Sequence, residues 1–403
     1  MAKKDKYLVG LDIGSTKTCA LLAEIENEQV RFLALGAAES KGLRKGLIVN
    51  LDSTVSSIRR AVEEAESVAN IPVEAATIGV AGSHVRGVNS RGGIPLGPRS
   101  RDIERDDVRR AIDAARNISL PADREVLHVL PHEFIVDAQD GIRDPVGMLG
   151  QRLEANVHIV TSSIAATQNL VTAANKAGIL INDTVLEPLA AAEACLTQDE
   201  RELGCCLLDI GGGTTELIVY GGGVVRHTGA VAIGGDHFTN DLAVGLRTPI
   251  PEAEKIKRHH GCASANLLRQ DNSIEIASVG DRPPRTIFSR MLTDIIEPRT
   301  QELLALIADD LRRAGLDSQI PAGLVLAGGG ARLNGFAEFA EQGFHLPVRI
   351  AEPRGIQDLP EQVAQPEYAT VVGLVLYAAK ARRNAQQRSG NFVAKLKSMF
   401  VGA

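Results

Sequence analysis

The stretch VGLDIGSTKTCALL, residues 9–22, returns as CLLDIGGGTTELIVY, residues 206–220. Asp12-Ile13-Gly14 matches Asp209-Ile210-Gly211, and each triplet leads through hydroxyl residues into an apolar run. The two copies stand 197 positions apart in a chain of 403 residues, about half its length. An internal echo at that spacing predicts two similar halves, each opening on a β-hairpin.

The turns of those hairpins carry chemistry. Gly14-Ser15-Thr16-Lys17 follows a buried strand, so its backbone N–H groups form a nest suited to phosphate oxygens, and Lys17 adds a positive charge. Gly211-Gly212-Gly213-Thr214-Thr215 is a second such turn, and its glycines let a phosphate approach without Cβ clashes. One Gly-Ser-Thr turn says little, since such turns join strands in many proteins; the pair is the signal. Asp12 and Asp209 end apolar strands, where an unpaired carboxylate is costly. Two carboxylates beside two phosphate turns predict Mg²⁺ held mainly through its waters, which that ion gives up reluctantly.

A third glycine turn, Ala327-Gly328-Gly329-Gly330-Ala331-Arg332, follows the apolar Leu324 to Ala327 and would let a flat base lie against backbone. Glu254, Lys257 and Arg258 share one helix face. That face is either a solvated surface or a contact to ribose and its nucleotide.

Bulk composition sets bounds. The chain is 44% hydrophobic and 23% charged, as soluble globular proteins are, and long enough for several subdomains. A net charge of −6 excludes general nucleic-acid binding. Cys19, Cys195, Cys205, Cys206 and Cys262 include no CxxC pair, which predicts reduced, packed thiols in a reducing compartment. His259-His260-Gly261-Cys262 lacks a second ligand pair and is not read as a metal site. Asp12 interrupts the N-terminal apolar run, against a signal peptide, and no stretch reaches the ~18 apolar residues that span a bilayer. A cytoplasmic protein is expected.

Between the echoes, periodicity predicts helices at 53–69, capped by Asp52 or Ser53, at 163–177 ending on Gly178, and from Pro188. Ala76 to Val80 and Glu125 to Val136 read as strands. Gly82 to Arg101, rich in Gly, Ser, Arg and Pro, breaks the pattern and opens an inserted subdomain running to about Val160. In the second half three strands fill 205–232, and helices follow at 235–246, 251–260 and 285–314, the last kinked or split by Pro298. A helix at 367–379 leads into a polar, alanine-rich linker over 381–391.

The chain then ends on NFVAKLKSMF, residues 391–400. On a helix Phe392, Val393, Leu396, Met399 and Phe400 fall within one arc of roughly 120°, edged by Lys395 and Lys397. No acidic side chain follows Glu367, while Lys380, Arg382, Arg383, Arg388, Lys395 and Lys397 do. An acidic body with a basic, oily tail predicts that the tail alone meets anionic lipid; the alternative is a terminal helix docked on its own domain. Five apolar side chains bring at most ~1.5–3 kcal/mol each, and each lysine about 1 kcal/mol, against roughly 1–2 kcal/mol of entropy per ordered residue. One copy therefore binds weakly, and several copies held together would bind far more tightly.

Two phosphate hairpins, the helix Glu187-Pro188-Leu189-Ala190, the turn LVLAGGGARLNG and the helix EYATVVGLVLYA occur in that order. This resembles the actin, Hsp70 and sugar-kinase ATPase superfamily. AGSHVRGVNSRGG (81–93), DPVGMLGQRLEANVHIV (144–160) and the tail are similar to the FtsA family of bacterial division proteins. The resemblance implies an α/β, actin-like, two-lobed fold built on a duplicated ribonuclease-H-like core, with an FtsA-type inserted subdomain. On that pattern the first-lobe core spans 1–82 and 162–195 around an insertion at 83–161. The second lobe follows, with its core at 196–230 and 301–350 around a smaller subdomain at 231–300. A closing helix occupies 351–380, a linker 381–390 and a membrane-targeting helix 391–403.

The resemblance also implies roles. Gly14, Ser15, Thr16, Lys17 and Gly211 through Thr215 would contact ATP phosphates, and Asp12 and Asp209 would serve Mg²⁺. Gly329, Gly330 and Arg332 would lie near adenine, and Glu254, Lys257 and Arg258 near ribose. Glu187, with Asp209, would act on the attacking water of an ATP hydrolysis that is weak at most. The surface of Arg290, Arg299 and Glu302 would receive the C-terminal peptide of FtsZ; the plainer reading of each is an ordinary surface residue. Self-association into filaments and contact with the cytoplasmic segment of FtsN at the insertion are further implied partners. Other members of the superfamily remain as alternatives: a chaperone-type or sugar-kinase ATPase, or an actin-like pilus-assembly protein, which typically lacks such a tail.

Overall fold

The computed structural model describes residues 6–280 and 282–400, with side chains through Ala385. Two five-stranded sheets form its two lobes, and they share one topology. In the first, Tyr7–Ile13 pairs antiparallel with Lys17–Glu26, which pairs antiparallel with Gln29–Glu39; Ala75–Val80 and Leu180–Leu186 extend the other side in parallel. In the second, Cys205–Ile210, Thr215–Gly221 and Val224–Val231 form the antiparallel part, and Leu324–Ala327 and Val348–Ile350 the parallel part. Even the hairpin register repeats: Asp12 faces Cys19 as Asp209 faces Glu216.

Strand alternation decides what each sheet covers. Cys206, Leu208 and Ile210 join a core with the helices of the second lobe, while Cys205 and Leu207 face a different core. That second core is shared between lobes: Cys19, Leu21 and Ala23 meet Leu207 and Ile218 there, around the helices Glu187–Cys195 and Ala369–Phe400. The two helices cross so closely at Gly373 that a Cβ added there would overlap the carbonyl oxygen of Ala190. Leu11, Ile13, Ala20 and Leu22 bury the other face of the first sheet against Val55, Ile58, Val62 and Ala65 of the helix Leu51–Ala69.

The insertion is a four-stranded antiparallel sheet in which Arg152–Ser163 lies between Arg86–Pro95 and Arg124–Val136. The helix Arg105–Arg116 covers one face through Ala111 and Ala115. It leaves the first lobe between Ala75–Val80 and the helix Ile164–Lys176, and it rests on the edge strand Val224–Val231 of the second lobe.

Several expectations need correction. The first long helix starts earlier, with Asn50 as its cap: Asn50 Oδ1 accepts from Ser53 N at 3.0 Å. Val68, which the periodicity of Val55, Ile58, Val62 and Ala65 would put on the buried face of that helix, is 65% exposed because the last turn runs past the sheet. Residues within Gly82 to Arg101 are not irregular: Arg86–Pro95 pairs along its length with Arg152–Ser163, and main-chain pairing tolerates that glycine-rich composition. The expected 285–314 helix is a strand, Arg285–Phe288, followed by one helix, Ser289–Arg313, that runs through Pro298 unsplit. Leu292, Ile296, Leu303 and Ile307 anchor it to the core on both sides of the proline, offsetting one missing backbone hydrogen bond. The expected linker at 381–391 is helical, part of Ala369–Phe400. Its Ala, Arg and Gln residues are good helix formers, and the tract contains no proline to stop a helix already started. The side chains of Phe392, Val393, Lys395, Leu396, Lys397, Met399 and Phe400 lie outside those described.

Candidate functional site

A cleft of about 760 Å³ opens where the three glycine turns converge. Asp12, Gly14, Ser15, Thr16 and Lys17 line it from the first lobe, and Asp209, Gly211, Gly212, Gly213 and Thr214 from the second. Gly329, Gly330 and Arg332 close a third side, and Glu254, Lys257 and Arg258 a fourth. Glu187 lies at the bottom.

The two hairpin turns are built alike. Gly14 N donates to Lys17 O at 3.0 Å, and Gly211 N to Thr214 O at 2.9 Å. They also nearly touch: a Cβ on Gly212 would overlap Thr16 Oγ1. Thr16 Oγ1 reaches Asp236 Oδ1 of the second lobe at 3.4 Å. Gly235 N and Asp236 N donate to the carbonyls of Gly211 and Gly212, so the helix Gly235–Leu246 pins the second turn.

Lys17 Nζ donates to Glu367 O at 2.9 Å and stands 3.5 Å over the Tyr368 ring. Arg332 pairs with Glu367 at 2.5 Å. On the fourth side Glu254 pairs with Lys257 and Arg258, both at 2.6 Å, and Lys257 Nζ also donates to Gly235 O.

The floor is acidic. Asp209 and Glu216 are buried, with Asp12 and Glu187 half-buried beside them, and desolvation is the main cause that raises the pKa of each. Asp12, Glu216 and Asp209 push Glu187 well above the usual range. Glu216 rises to about 8, with the Asp209 charge adding to burial. Thr370 Oγ1 donates to Asp209 Oδ2 at 2.8 Å and offsets part of its rise. Glu216 Oε1 is buried without a hydrogen-bond partner.

A hydrated Mg²⁺ fits this donor set. Buried carboxylates and one unpartnered oxygen call for a cation and for water donors. Among the described residues no three His, Cys, Asp or Glu side chains are arranged to hold a metal directly.

One expected contact is misplaced. Thr215 points away from the cleft, fully buried, and its hydroxyl donates to Ile233 O at 2.8 Å. Strand pairing has begun there, so its side chain falls on the opposite face from Thr214. Glu216, Asp236, Glu367, Tyr368 and Thr370 also line the cleft and were not singled out from the sequence. Glu216 had a signal, as the one charge inside the otherwise apolar strand Thr215–Gly221.

Away from the cleft, Arg290 pairs with Asp294 at 3.0 Å. Arg299 pairs with Asp241 at 2.7 Å and also with Glu302. Arg290 and Arg299 are nine positions apart on one helix, about half a turn out of phase, so they do not form one patch.

Solved structures similar to this chain confirm the architecture. The PilM–PilN type IV pilus biogenesis complex matches with a TM-score of 0.67, covering 92% of this chain and 98% of that one at 18% identity. MreB5 of Spiroplasma citri bound to ADP matches with a TM-score of 0.58, covering 94% and 98% at 15% identity. Both show an actin-like fold. A family model of the SHS2 domain inserted in FtsA matches residues 82–161, and one of cell division protein FtsA matches 206–373. Cell division protein FtsA of Pseudomonas aeruginosa is 43% identical over 95% of this chain and 92% of its own length. Those of Escherichia coli K12 and Bacillus subtilis are each 36% identical, over 94% and 96% of this chain and 92% and 86% of their own lengths. Alignment across nearly the whole chain, insertion included, makes this protein a member of the FtsA family of cell division proteins.

Proposed function

We propose that this chain is an ATP-binding, actin-like scaffold that assembles into filaments and tethers FtsZ filaments to the inner face of the cytoplasmic membrane. The observation that carries the nucleotide reading is the convergence of three glycine turns from both lobes on one cleft with Lys17 inside it. Ser15 and Thr16 of the first turn and Gly212 to Thr214 of the second supply backbone donors for phosphates, the N–H groups of Gly14 and Gly211 being used within the turns, and Lys17 supplies its ammonium. Arg332 and the Gly328 to Gly330 backbone border the base, and Glu254 with its two cations borders the ribose. Mg²⁺, held through water by Asp12 and Asp209, would neutralise phosphate charge as nucleotide binds.

Nucleotide then acts on lobe closure. Thr16 and Asp236 meet across the cleft, so a ligand gripping both turns favours the closed arrangement by its differential affinity. Glu187 would orient a water, yet burial among carboxylates disfavours its charged form, which suits slow hydrolysis at best.

Membrane contact is assigned to Phe392, Val393, Lys395, Leu396, Lys397, Met399 and Phe400. Among the described residues no helix is long and apolar enough to cross a membrane, and a short amphipathic segment does not need to cross one. Arg290, Arg299 and Glu302 mark the surface proposed for the FtsZ C-terminal peptide, and the insertion that proposed for the FtsN segment.

The test is sedimentation of the purified protein with ATP, Mg²⁺, anionic liposomes and an FtsZ C-terminal peptide. Wild type pellets with liposomes and carries the peptide. A Phe392/Leu396/Phe400 polar variant stays in the supernatant while still binding ATP. Pelleting that survives those substitutions overturns the tether, and failure to bind ATP with Mg²⁺ present overturns the whole reading.

A further inference from the structure

The short turn Pro366–Tyr368, just before the helix Ala369–Phe400, lines the cleft and binds groups from both lobes. From the first lobe Lys17 Nζ donates to Glu367 O at 2.9 Å. From the second, Gly328 N donates to Pro366 O at 2.9 Å, and Arg332 bonds the Glu367 carboxylate at 2.5 Å. We propose that Glu367 sets the nucleotide affinity of the cleft by opposing it: its carboxylate competes with bound nucleotide for Arg332. This role rests on the reading that the cleft takes a nucleotide, and it gives that site a built-in competitor.

Three observations carry it. First, Glu367 stands where the ligand would lie. It borders the third glycine turn, since a Cβ added to Gly329 would come within 3.9 Å of Glu367 Cβ. Its main chain holds the ammonium of the first phosphate turn, and its side chain holds the cation on the base side. Among the described residues it is the one carboxylate that Arg332 pairs with.

Second, the charge is of the wrong sign for a cleft that welcomes a polyphosphate. The Glu367 side chain is only 22% exposed, so water screens it poorly, and an entering polyanion meets it as a like charge. Arg332, 56% exposed, is free to turn from this partner to another.

Third, the carboxylate holds its place at a cost. Glu367 Oε2 is buried and has no hydrogen-bond partner. A buried acceptor left unmatched costs the desolvation of that group. A side chain turned out to solvent regains the water that Oε2 lacks and leaves Arg332 to the ligand. The pair is therefore poised to be displaced, and displacing it subtracts from nucleotide affinity.

The test is titration of ATP and ADP into the full chain with Mg²⁺, at low and high salt, with release rates measured by stopped flow. Glu367→Gln keeps the length of the side chain and drops its charge. It is expected to bind ATP about two- to fivefold more tightly than wild type, the scale of one part-exposed ion pair, mainly through slower release. The gain is smaller for ADP, which carries less charge, and shrinks as salt rises. Glu367→Ala, which offers Arg332 nothing, shifts affinity in the same direction. If Glu367 instead positions Arg332 for the base, both variants bind more weakly, and that result, or an unchanged affinity, overturns the proposal. Wild type that binds neither nucleotide overturns the cleft reading itself; wild type that binds while neither variant binds more tightly overturns the role of Glu367 alone.

Discussion

Lys17 Nζ stands 3.5 Å above the centre of the Tyr368 ring and donates to the carbonyl of Glu367, so the first phosphate turn is clasped by the entrance to the closing helix. A desolvated cation over an aromatic face gains up to about 2 kcal/mol. A phosphate replaces that hold with a charge-assisted bond. Lys17→Ala is therefore expected to weaken ATP by roughly 10–100-fold, the worth of a bond to a charged group. Tyr368→Leu removes only the resting partner of the ammonium and should change affinity by less. Titration of a fluorescent ATP analogue into both variants checks the order; equal losses would place the ring on the nucleotide.

Gly373 lets the closing helix lie against the helix that carries Glu187. Gly373→Ala gains up to ~1 kcal/mol of helix propensity but drives a methyl into the Ala190 carbonyl, an overpacking cost of about 1–3 kcal/mol or more. The expected outcome is a lower urea midpoint with an unchanged slope. Nucleotide affinity falls with it, because the separated helices carry Glu187 on one side and Thr370 on the other.

The duplication was legible because a hairpin is local. The Asp-Ile-Gly echo carries both register and turn chemistry within about fifteen residues, and the structure repeats both. Thr215 was misjudged by one position, where the turn gives way to strand alternation. Tyr368, Glu367 and Thr370 were not legible, since only packing of the closing helix brings them some 350 positions back to Lys17 and 161 back to Asp209. Pro298 and the 381–391 tract misled for one shared reason. Local composition argues for a break, while a helix already anchored, or already growing, needs only the next bond.

His128 gives the fold a defined acid limit. Its Nε2 accepts from Leu186 N at 3.0 Å, just before the helix that carries Glu187, and burial lowers its pKa to about 4. The unfolded chain takes up a proton near pH 6.5 and the folded one does not until about pH 4. Stability from this group is full above pH 6.5 and is lost as pH falls towards 4, by up to about 1.4 kcal/mol per pH unit. His158 and His132, lowered by burial to about 3 and about 4, act in the same direction. His128→Gln retains an acceptor for Leu186 without titrating. Its urea midpoint should fall less steeply than that of wild type between pH 6.5 and 4.5; parallel curves would exclude His128 as a contributor.

Arg299 is already held: Nε and Nη2 bond Asp241 at 2.7 and 3.1 Å, and Glu302 takes a third N–H. An acidic peptide docking here must displace at least one of those carboxylates, losing much of what it gains. Asp241→Asn frees the guanidinium and should tighten an FtsZ C-terminal peptide several-fold at low salt, with the gain shrinking as salt screens it. Arg299→Ala should abolish that gain. Arg290→Ala should cost less, since Arg290 sits about half a turn around the helix with its own partner, Asp294. Fluorescence anisotropy with labelled peptide at two salt concentrations separates these outcomes. If Arg290→Ala and Arg299→Ala weaken the peptide equally, it wraps the helix instead of lying on the Arg299 side. If neither does, the peptide docks elsewhere and the Arg299 pair only holds two helices of the second lobe together.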